Sequence, residues 1–198
     1  MRKLTLILIA LVGVFFFTGK TIHAQQFDAA FGLSAVHSTS AFDASGNFFP
    51  QSVGGGVFPD FSADFLLFKH FGVGGEVSWR ATQNLSGGIA PFRPIFYDID
   101  AVYAPPLGKR AALELVGGLG SESIRFYQNF VTCGNFSCSN FVSSNHLLGA
   151  VGAGIKLYTV HGIFIRPEAR FYFIRHNFEF SDNHATRLGV SIGYTFGR

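Results

Sequence analysis

Charged residues, methionine and tryptophan are all scarce in this chain, and cysteine occurs only twice. Lys, Arg, Asp and Glu make up 14% of the 198 residues, and there is one Met and one Trp. A chain without a concentrated run of Lys and Arg lacks the basic patch that nucleic-acid binding needs. Two thiols are too few for a metal site, and no further ligands lie at suitable spacing beside them. We therefore expect no nucleic-acid partner, no metal and no cofactor.

Long apolar runs are also missing, apart from one near the N-terminus. Arg2 and Lys3 precede the apolar run Leu4–Phe17, which is shorter than the roughly 20 residues of a membrane-spanning helix. This pattern predicts a secretory signal peptide over residues 1–24, cleaved after Ala24. The signal carries three of the 15 basic residues and no acid, so the mature chain would hold 12 bases and 12 acids. Residues 25–198 are the size of one domain.

Beyond the predicted signal, apolar and polar residues alternate with a period of two over stretches of ten to fifteen residues. Alternation of this kind predicts β-strands, and the stretches are long enough for tilted strands to cross a bilayer. The eight predicted strands are Gln26–His37, Val57–Phe68, Phe71–Thr82, Arg93–Ala104, Ala111–Phe126, His146–Tyr158, Gly162–Asn177 and Ala185–Phe196.

The predicted connections alternate in length along the chain. Short connections are predicted over 69–70, 105–110 and 159–161, longer ones over 38–56, 83–92 and 127–145, and an intermediate one over 178–184. Outer-membrane barrels have tight periplasmic turns and longer outer loops. With eight strands, both termini would lie on the periplasmic side.

The two faces of the predicted strands differ sharply in charge. One face is apolar, as in Phe27, Phe31 and Leu33, while the opposite parity carries most of the acids. A lipid-facing Arg or Lys at the bilayer midplane costs about 2–4 kcal/mol, so this segregation is typical of a membrane barrel. A soluble calyx such as a lipocalin would have the reverse arrangement. The sequence therefore predicts an all-β, eight-stranded antiparallel up-and-down transmembrane barrel with a polar filled lumen.

An eight-stranded lumen is just wide enough to be filled by side chains. We expect inward-facing glycines to make room for long charged residues. The predicted lumen network is structural, and its members are Glu76, Arg80, Glu114, Lys156, Arg166, Glu168 and Arg170. A narrow gated ion path through the same residues is the alternative.

The last strand ends the chain on alternating large and small residues, with an aromatic near the terminus. Its apolar face consists of Leu188, Val190, Ile192, Tyr194 and Phe196. This stretch resembles the C-terminal signal by which bacterial outer-membrane barrels are recognised for insertion, although Gly197 and Arg198 follow the final aromatic.

With the strand pattern, this makes the mature chain similar to the small OmpA/OmpX-like outer-membrane β-barrels. The resemblance implies the bacterial outer membrane as the location. It also implies contact with lipid and lipopolysaccharide, insertion by the barrel-assembly machinery, and a monomer.

The only two cysteines, Cys133 and Cys138, lie in the third long connection. In an oxidising compartment they are expected to form a disulfide that closes a small loop. A catalytic redox pair usually has two residues between its cysteines, whereas this pair has four.

The outer connections are rich in aromatics, which favours a role in envelope structure with surface binding through these loops and without catalysis. Some barrels of this size are lipid A-modifying enzymes that use Ser, His and an acid, so an enzyme stays an alternative. The candidate residues for such chemistry are His37, Ser38, Ser143, Ser144, His146, His176 and His184.

Overall fold

The computed structural model describes residues 26–38, 52–86, 90–133, 138–159, 161–176 and 183–197. The predicted signal peptide, residues 1–24, lies outside these ranges. No helix in the described part of the chain is long and apolar enough to cross a membrane.

The described residues form nine strands. Their bounds are β1 Gln26–His37, β2 Val57–Phe68, β3 Phe71–Trp79, β4 Asn84–Ser86, β5 Ala90–Tyr103, β6 Ala111–Cys133, β7 Cys138–Tyr158, β8 Ile163–Ile174 and β9 His184–Phe196.

Eight of these strands close into one antiparallel barrel. Each strand pairs with its neighbour in sequence, except that β3 pairs with β5, and β1 also pairs with β9. The short strand β4 pairs only with the first residues of β5. The barrel has a turn end, with the connections 69–70, 104–110 and 159–162, and a loop end, with the longer connections. Closure leaves no open sheet edge along the barrel wall, which is what a strand in hydrocarbon requires.

The apolar and polar residues that alternate in the sequence face the outside and the inside of the barrel, respectively. Outward side chains such as Ile99, Leu119 and Leu188 are 61–74% exposed, although all three are apolar. Inward charged side chains such as Lys156 and Arg166 are fully buried. An apolar exterior around a charged interior is the arrangement of a membrane barrel, so the predicted fold class is confirmed.

The strand bounds differ from the predicted ones mainly at the loop end. The residues from Tyr127 to Asn145 were expected to form a long loop, but β6 and β7 continue as a paired hairpin in which Tyr127 faces Phe141 and Cys133 faces Cys138. The polar composition of this stretch resembles a loop, yet hairpin pairing satisfies its backbone groups. In β3 the strand ends at Trp79 rather than at Thr82, and β4 was not predicted.

The lumen carries most of its charged residues in its middle, with Arg80, Glu122 and His146 nearer the loop end. At the loop end it is filled by an apolar cluster, here called the loop-end core, whose stacked rings Phe96 and Tyr172 lie 5.1 Å apart between centroids. A smaller apolar group at the turn end includes Leu66 and Val102. The predicted polar filling of the lumen therefore lies between two apolar groups of side chains, which the sequence did not predict. The members of the loop-end core are Val36, Val53, Phe58, Phe92, Phe96, Ile124, Leu148, Ala150, Tyr172, Ile174 and Ala185.

Candidate functional site

The middle of the lumen holds four buried cations on three strands. Lys156 lies on β7, Arg166 and Arg170 on β8, and Arg187 on β9, each at an inward position of its strand. All four are at most 3% exposed. A buried cation must be paired and hydrogen-bonded, because its desolvation is costly. The carboxylates around these four residues are therefore the central feature of the lumen.

The first group, called the turn-side cluster, surrounds Lys156 and Arg166. The Lys156 ammonium lies 2.5 Å from Asp28 and 3.3 Å from Asp64, and it also pairs with Glu114. Arg166 pairs with the other oxygen of Glu114 at 2.6 Å. Its remaining donors reach two hydroxyls, Ser62 Oγ at 2.8 Å and Ser191 Oγ at 3.1 Å.

The second group, called the loop-side cluster, contains Arg170 and Arg187. Arg170 lies 3.0 Å from Glu76, 2.7 Å from Asp100 and 3.3 Å from Asp98. Arg187 lies 2.6 Å from the second oxygen of Glu76 and 3.5 Å from Asp60. Glu76 thus binds both guanidinium groups of this cluster.

Glu168 joins the two clusters. One of its oxygens lies 2.9 Å from Arg166 in the turn-side cluster, and the other lies 2.5 Å from Arg187 in the loop-side cluster. Among the described residues, the network contains eight carboxylates and four cations. Because carboxylates outnumber cations two to one, each cation serves several acids, and the network is not a set of separate pairs.

The structure places six of the predicted network residues together and one apart. Arg80 lies just beyond β3 at the loop end, where its guanidinium donates to the carbonyl oxygens of Val53 at 2.5 Å and Gly54 at 2.6 Å. It also lies over the rings of Phe58 and Phe92, at 5.6 and 4.9 Å from the centroids. Burial lowers the pKa of Arg80 to about 10. Arg80 therefore fastens residues 53–54 over the loop-end core and does not belong to the ion-pair network.

Several network members were not singled out from sequence. These residues lie at inward-facing positions of their strands, as the predicted members do. The alternation in the sequence could have identified them on this basis. Their participation depends on the stagger between distant strands, since Lys156 and Asp28 are 128 residues apart. The additional members are Asp28, Asp60, Asp64, Asp98, Asp100 and Arg187.

Three of the carboxylates, on Asp60, Glu76 and Glu168, lie within 4.8 Å of one another, which is close enough to hold a metal ion. All three, however, are ion-paired to the same guanidinium, that of Arg187. The arginine thus supplies the positive charge that a metal would bring, and this group of acids does not fit a metal site.

Glycines opposite the charged residues provide the room for the network. Gly32 faces Asp60, Gly74 faces Asp64, and Gly118 faces Asp100 across neighbouring strands. A Cβ at any of the three glycines would collide with the carboxylate opposite. The expectation that inward glycines make space for charged side chains is met at these positions.

The candidate catalytic residues of the loops are dispersed, with one exception. Ser38 Oγ donates to the carbonyl oxygen of His184 at 3.0 Å. Ser144 Oγ lies 3.1 Å from His146 Nε2, and Glu122 is the cross-strand neighbour of His146. His146 is 8% exposed and has the inward parity of β7. This pair faces the barrel interior and not the acyl chains outside.

The remaining sequence-predicted features lie on the outside of the lumen. Cys133 and Cys138 form a disulfide at the end of the β6–β7 hairpin. The five residues proposed as an insertion signal all point outward from β9 and are 41–61% exposed: Leu188, Val190, Ile192, Tyr194 and Phe196. Their recognition during insertion stays a prediction.

A closed eight-stranded barrel with an apolar exterior, short turns at one end and buried charges inside belongs to the transmembrane barrels of outer-membrane type. The sequence matches no protein-family model and no curated protein. Solved structures do match. Ail, the attachment invasion locus protein of Yersinia pestis, superimposes with a TM-score of 0.56 at 12% identity, over 87% of this chain and 99% of that one.

Two other barrels give the same result. Neisserial surface protein A matches with a TM-score of 0.58 at 10% identity, over 86% of this chain and 96% of that one. The N-terminal β-barrel domain of OprF from Pseudomonas aeruginosa matches with a TM-score of 0.52 at 11% identity, over 85% and 97%. At such identities the likeness defines the fold. The chain thus has the fold of the small outer-membrane β-barrels.

Proposed function

We propose that this protein is a non-conducting, non-catalytic barrel of the outer membrane that supports envelope structure and binds partners through its β6–β7 hairpin. The observation that carries the proposal is the filled lumen. The ion-pair network occupies the middle of the barrel, and the loop-end core closes it above. The void between Glu114, Glu168 and Arg170 has no room for a water molecule.

Non-conduction is tested by planar-bilayer recording of the refolded protein. We expect no conductance steps from the wild type. A double variant, Phe96→Ala with Tyr172→Ala, removes two stacked rings of the loop-end core and serves as a comparison for partial opening. Regular conductance steps from the wild type would support the alternative of a narrow channel.

Surface binding is proposed from the hairpin beyond the barrel. Above Phe126 the described part of β6 pairs with β7 alone, which extends the hairpin by about 20 Å of strand. Phe130 and Val131 are each 63% exposed there, and Val142 is 56% exposed. Apolar side chains on a projecting hairpin are typical of a protein-binding surface. Its strand edges, which are unpaired within the described residues, can accept a partner strand.

The two parts of the proposal are separated by complementation of a deletion strain. A variant in which a two-residue Asn-Gly turn replaces residues 128–140 keeps the barrel but lacks the hairpin tip. We expect this variant to restore resistance to detergents and large antibiotics while losing adhesion of the cells to a surface that binds the wild type. If the shortened variant adhered like the wild type, the hairpin would not be the binding surface.

The hydrogen bond between Ser144 and His146 favours one second candidate, an enzyme acting on lipid A. A Ser–His pair with an acid as neighbour is the arrangement of a nucleophile and its base. Its inward orientation favours a structural hydrogen bond instead. Ser144→Ala and His146→Ala in cells test this candidate, because unchanged lipid A mass spectra in both variants would remove it.

A further inference from the structure

An open groove of about 820 Å³ runs across the outer wall of the barrel. It crosses strands β7, β8, β9 and β1, and small residues form its floor between larger aliphatic ones. Six of the residues that define it are Leu33, Ala153, Ile155, Pro167, Ala169 and Val190. The groove lies within the apolar exterior, so in the membrane it faces acyl chains.

The pairing of β7 with β8 is interrupted at this groove. Gly154 pairs with Glu168 and Leu157 pairs with Ile165, but the two positions between them are unpaired on both strands. Further along the same ladder, Arg175 N–H donates to the carbonyl oxygen of Leu147. The hydrogen-bonded positions of an antiparallel ladder recur every second residue. In this register Pro167 stands where an N–H should donate to the Ile155 carbonyl.

Proline has no N–H, so β8 offers the Ile155 carbonyl no donor. Within hydrocarbon, a backbone carbonyl without a hydrogen bond is costly, because no water is present to replace the donor. The side chains of Ala153 and Ala169, the neighbours of Ile155 and Pro167 on this outer face, carry no polar hydrogen, and the two residues are paired with each other in the ladder. The groove therefore contains a backbone hydrogen-bond acceptor, while its two polar lining residues, Ser34 and Glu168, have the inward parity of their strands.

We propose that this groove binds an acyl chain that carries a hydroxyl group, with the hydroxyl donating to the carbonyl oxygen of Ile155. A plain acyl chain would fill the apolar floor but leave the acceptor unpaired. A second copy of this chain would present the same outer face. The side chains of Leu33, Leu188 and Val190 on that face have no donor for the Ile155 carbonyl. A hydroxyacyl lipid satisfies both the apolar lining and the acceptor.

The test is native mass spectrometry of the refolded protein, released from detergent with tetradecanoic acid and β-hydroxytetradecanoic acid at equal concentration. We expect the wild type to retain the hydroxylated chain about fivefold more, as one net hydrogen bond would give. Equal retention of the two acids would overturn the proposal. A dimer without bound acid would also overturn it, in favour of a second copy as the occupant.

Variants test the Ile155 carbonyl acceptor and the apolar floor of the groove separately. Pro167→Val restores the N–H, and the preference for the hydroxylated acid should fall to about one. Pro59→Val is the matched control, since Pro59 is an outward-facing strand proline outside the groove, and it should keep the wild-type preference. Ala169→Leu fills the floor and should lower retention of both acids. A preference that survives in Pro167→Val, or retention unchanged in Ala169→Leu, would contradict the assignment.

Heat-dependent gel mobility shows that each variant has formed the barrel before its lipids are measured. If Pro167→Val does not fold, Ala169→Leu and the wild-type preference still test the proposal.

Discussion

Gly152 on β7 faces Arg170 on β8, and the missing side chain of the glycine is what allows the arginine stem to enter the lumen. A Cβ at Gly152 would lie 2.8 Å from Arg170 Cγ and 2.9 Å from Val116 Cγ2. Both distances are shorter than real Cβ contacts, so one of the neighbours would have to move. The position of the loop-side cluster thus depends on a residue that carries no charge.

Gly152→Ala is therefore expected to destabilise the barrel by about 1–3 kcal/mol, as overpacking of a filled interior does. Gly149→Ala is the matched control on the same strand, because its Cβ would meet only ordinary contacts at 3.9 and 4.0 Å. Urea unfolding of the two refolded variants measures the difference. Equal midpoints would mean that the lumen has more free space than the contacts at Gly152 indicate.

Arg170→Ala should lower the free energy of unfolding more strongly than Gly152→Ala does. The substitution leaves Glu76, Asp98 and Asp100 without the guanidinium that they share, and breaking a buried ion pair from one side costs about 3–5 kcal/mol. Arg175→Ala, at an exposed position beyond the same strand, should change stability by less than about 0.5 kcal/mol. Urea unfolding measures both variants. A wild-type midpoint for Arg170→Ala would contradict a stabilising network.

Arg80→Met should loosen residues 52–56 without opening the barrel. The guanidinium of Arg80 holds two carbonyl groups of this segment, at Val53 and Gly54. Limited proteolysis should then cut the variant near these residues, while gel mobility stays heat-dependent. Arg93→Ala is the control, because the Arg93 guanidinium donates to the Ala81 carbonyl at an exposed site, at 3.3 Å, and lies outside residues 52–56. Equal protection in the two variants would mean that Arg80 is not the fastening residue.

Removing the disulfide should affect the hairpin and not the barrel. Cys133 and Cys138 close a loop with a sequence separation of 5, at the end of a hairpin that pairs only with itself in the described structure. A Cys133→Ser, Cys138→Ser variant should keep the wild-type unfolding midpoint of the barrel but be cut faster within residues 127–145. A lowered midpoint would show that the hairpin is coupled to the barrel wall.

The sequence predicted the barrel well because strand parity depends on each strand alone. Alternation placed Phe31 outside and Lys156 inside, and the structure confirms both positions. Contacts between strands were harder to predict, since the stagger around the barrel decides which inward residues share a level. Arg80 shows this. It faces inward like the network residues, but its position along the barrel axis places it over the rings of Phe58 and Phe92.

The loop-end core and the hairpin were missed for a related reason. Phe96 and Tyr172 are inward-facing aromatics on strands whose outer faces are aromatic too, so composition did not distinguish them. In the hairpin, residues 127–145 contain four Asn and four Ser, a composition that predicted a loop. Only the pairing of β6 with β7 gives this stretch its strands.

Phe196→Ala tests the prediction that β9 carries the insertion signal. Phe196 points outward at the turn end, with its ring 5.8 Å from Phe27 and 4.6 Å from Tyr194 between centroids. Because this side chain contributes little to the lumen, we expect the purified variant to refold in detergent with heat-dependent mobility. In cells, however, the folded protein in the outer membrane should fall several-fold. Leu188→Ala, at the other end of the same face, should have a smaller effect. If Phe196→Ala accumulated normally in the outer membrane, recognition would have to depend on another part of the chain.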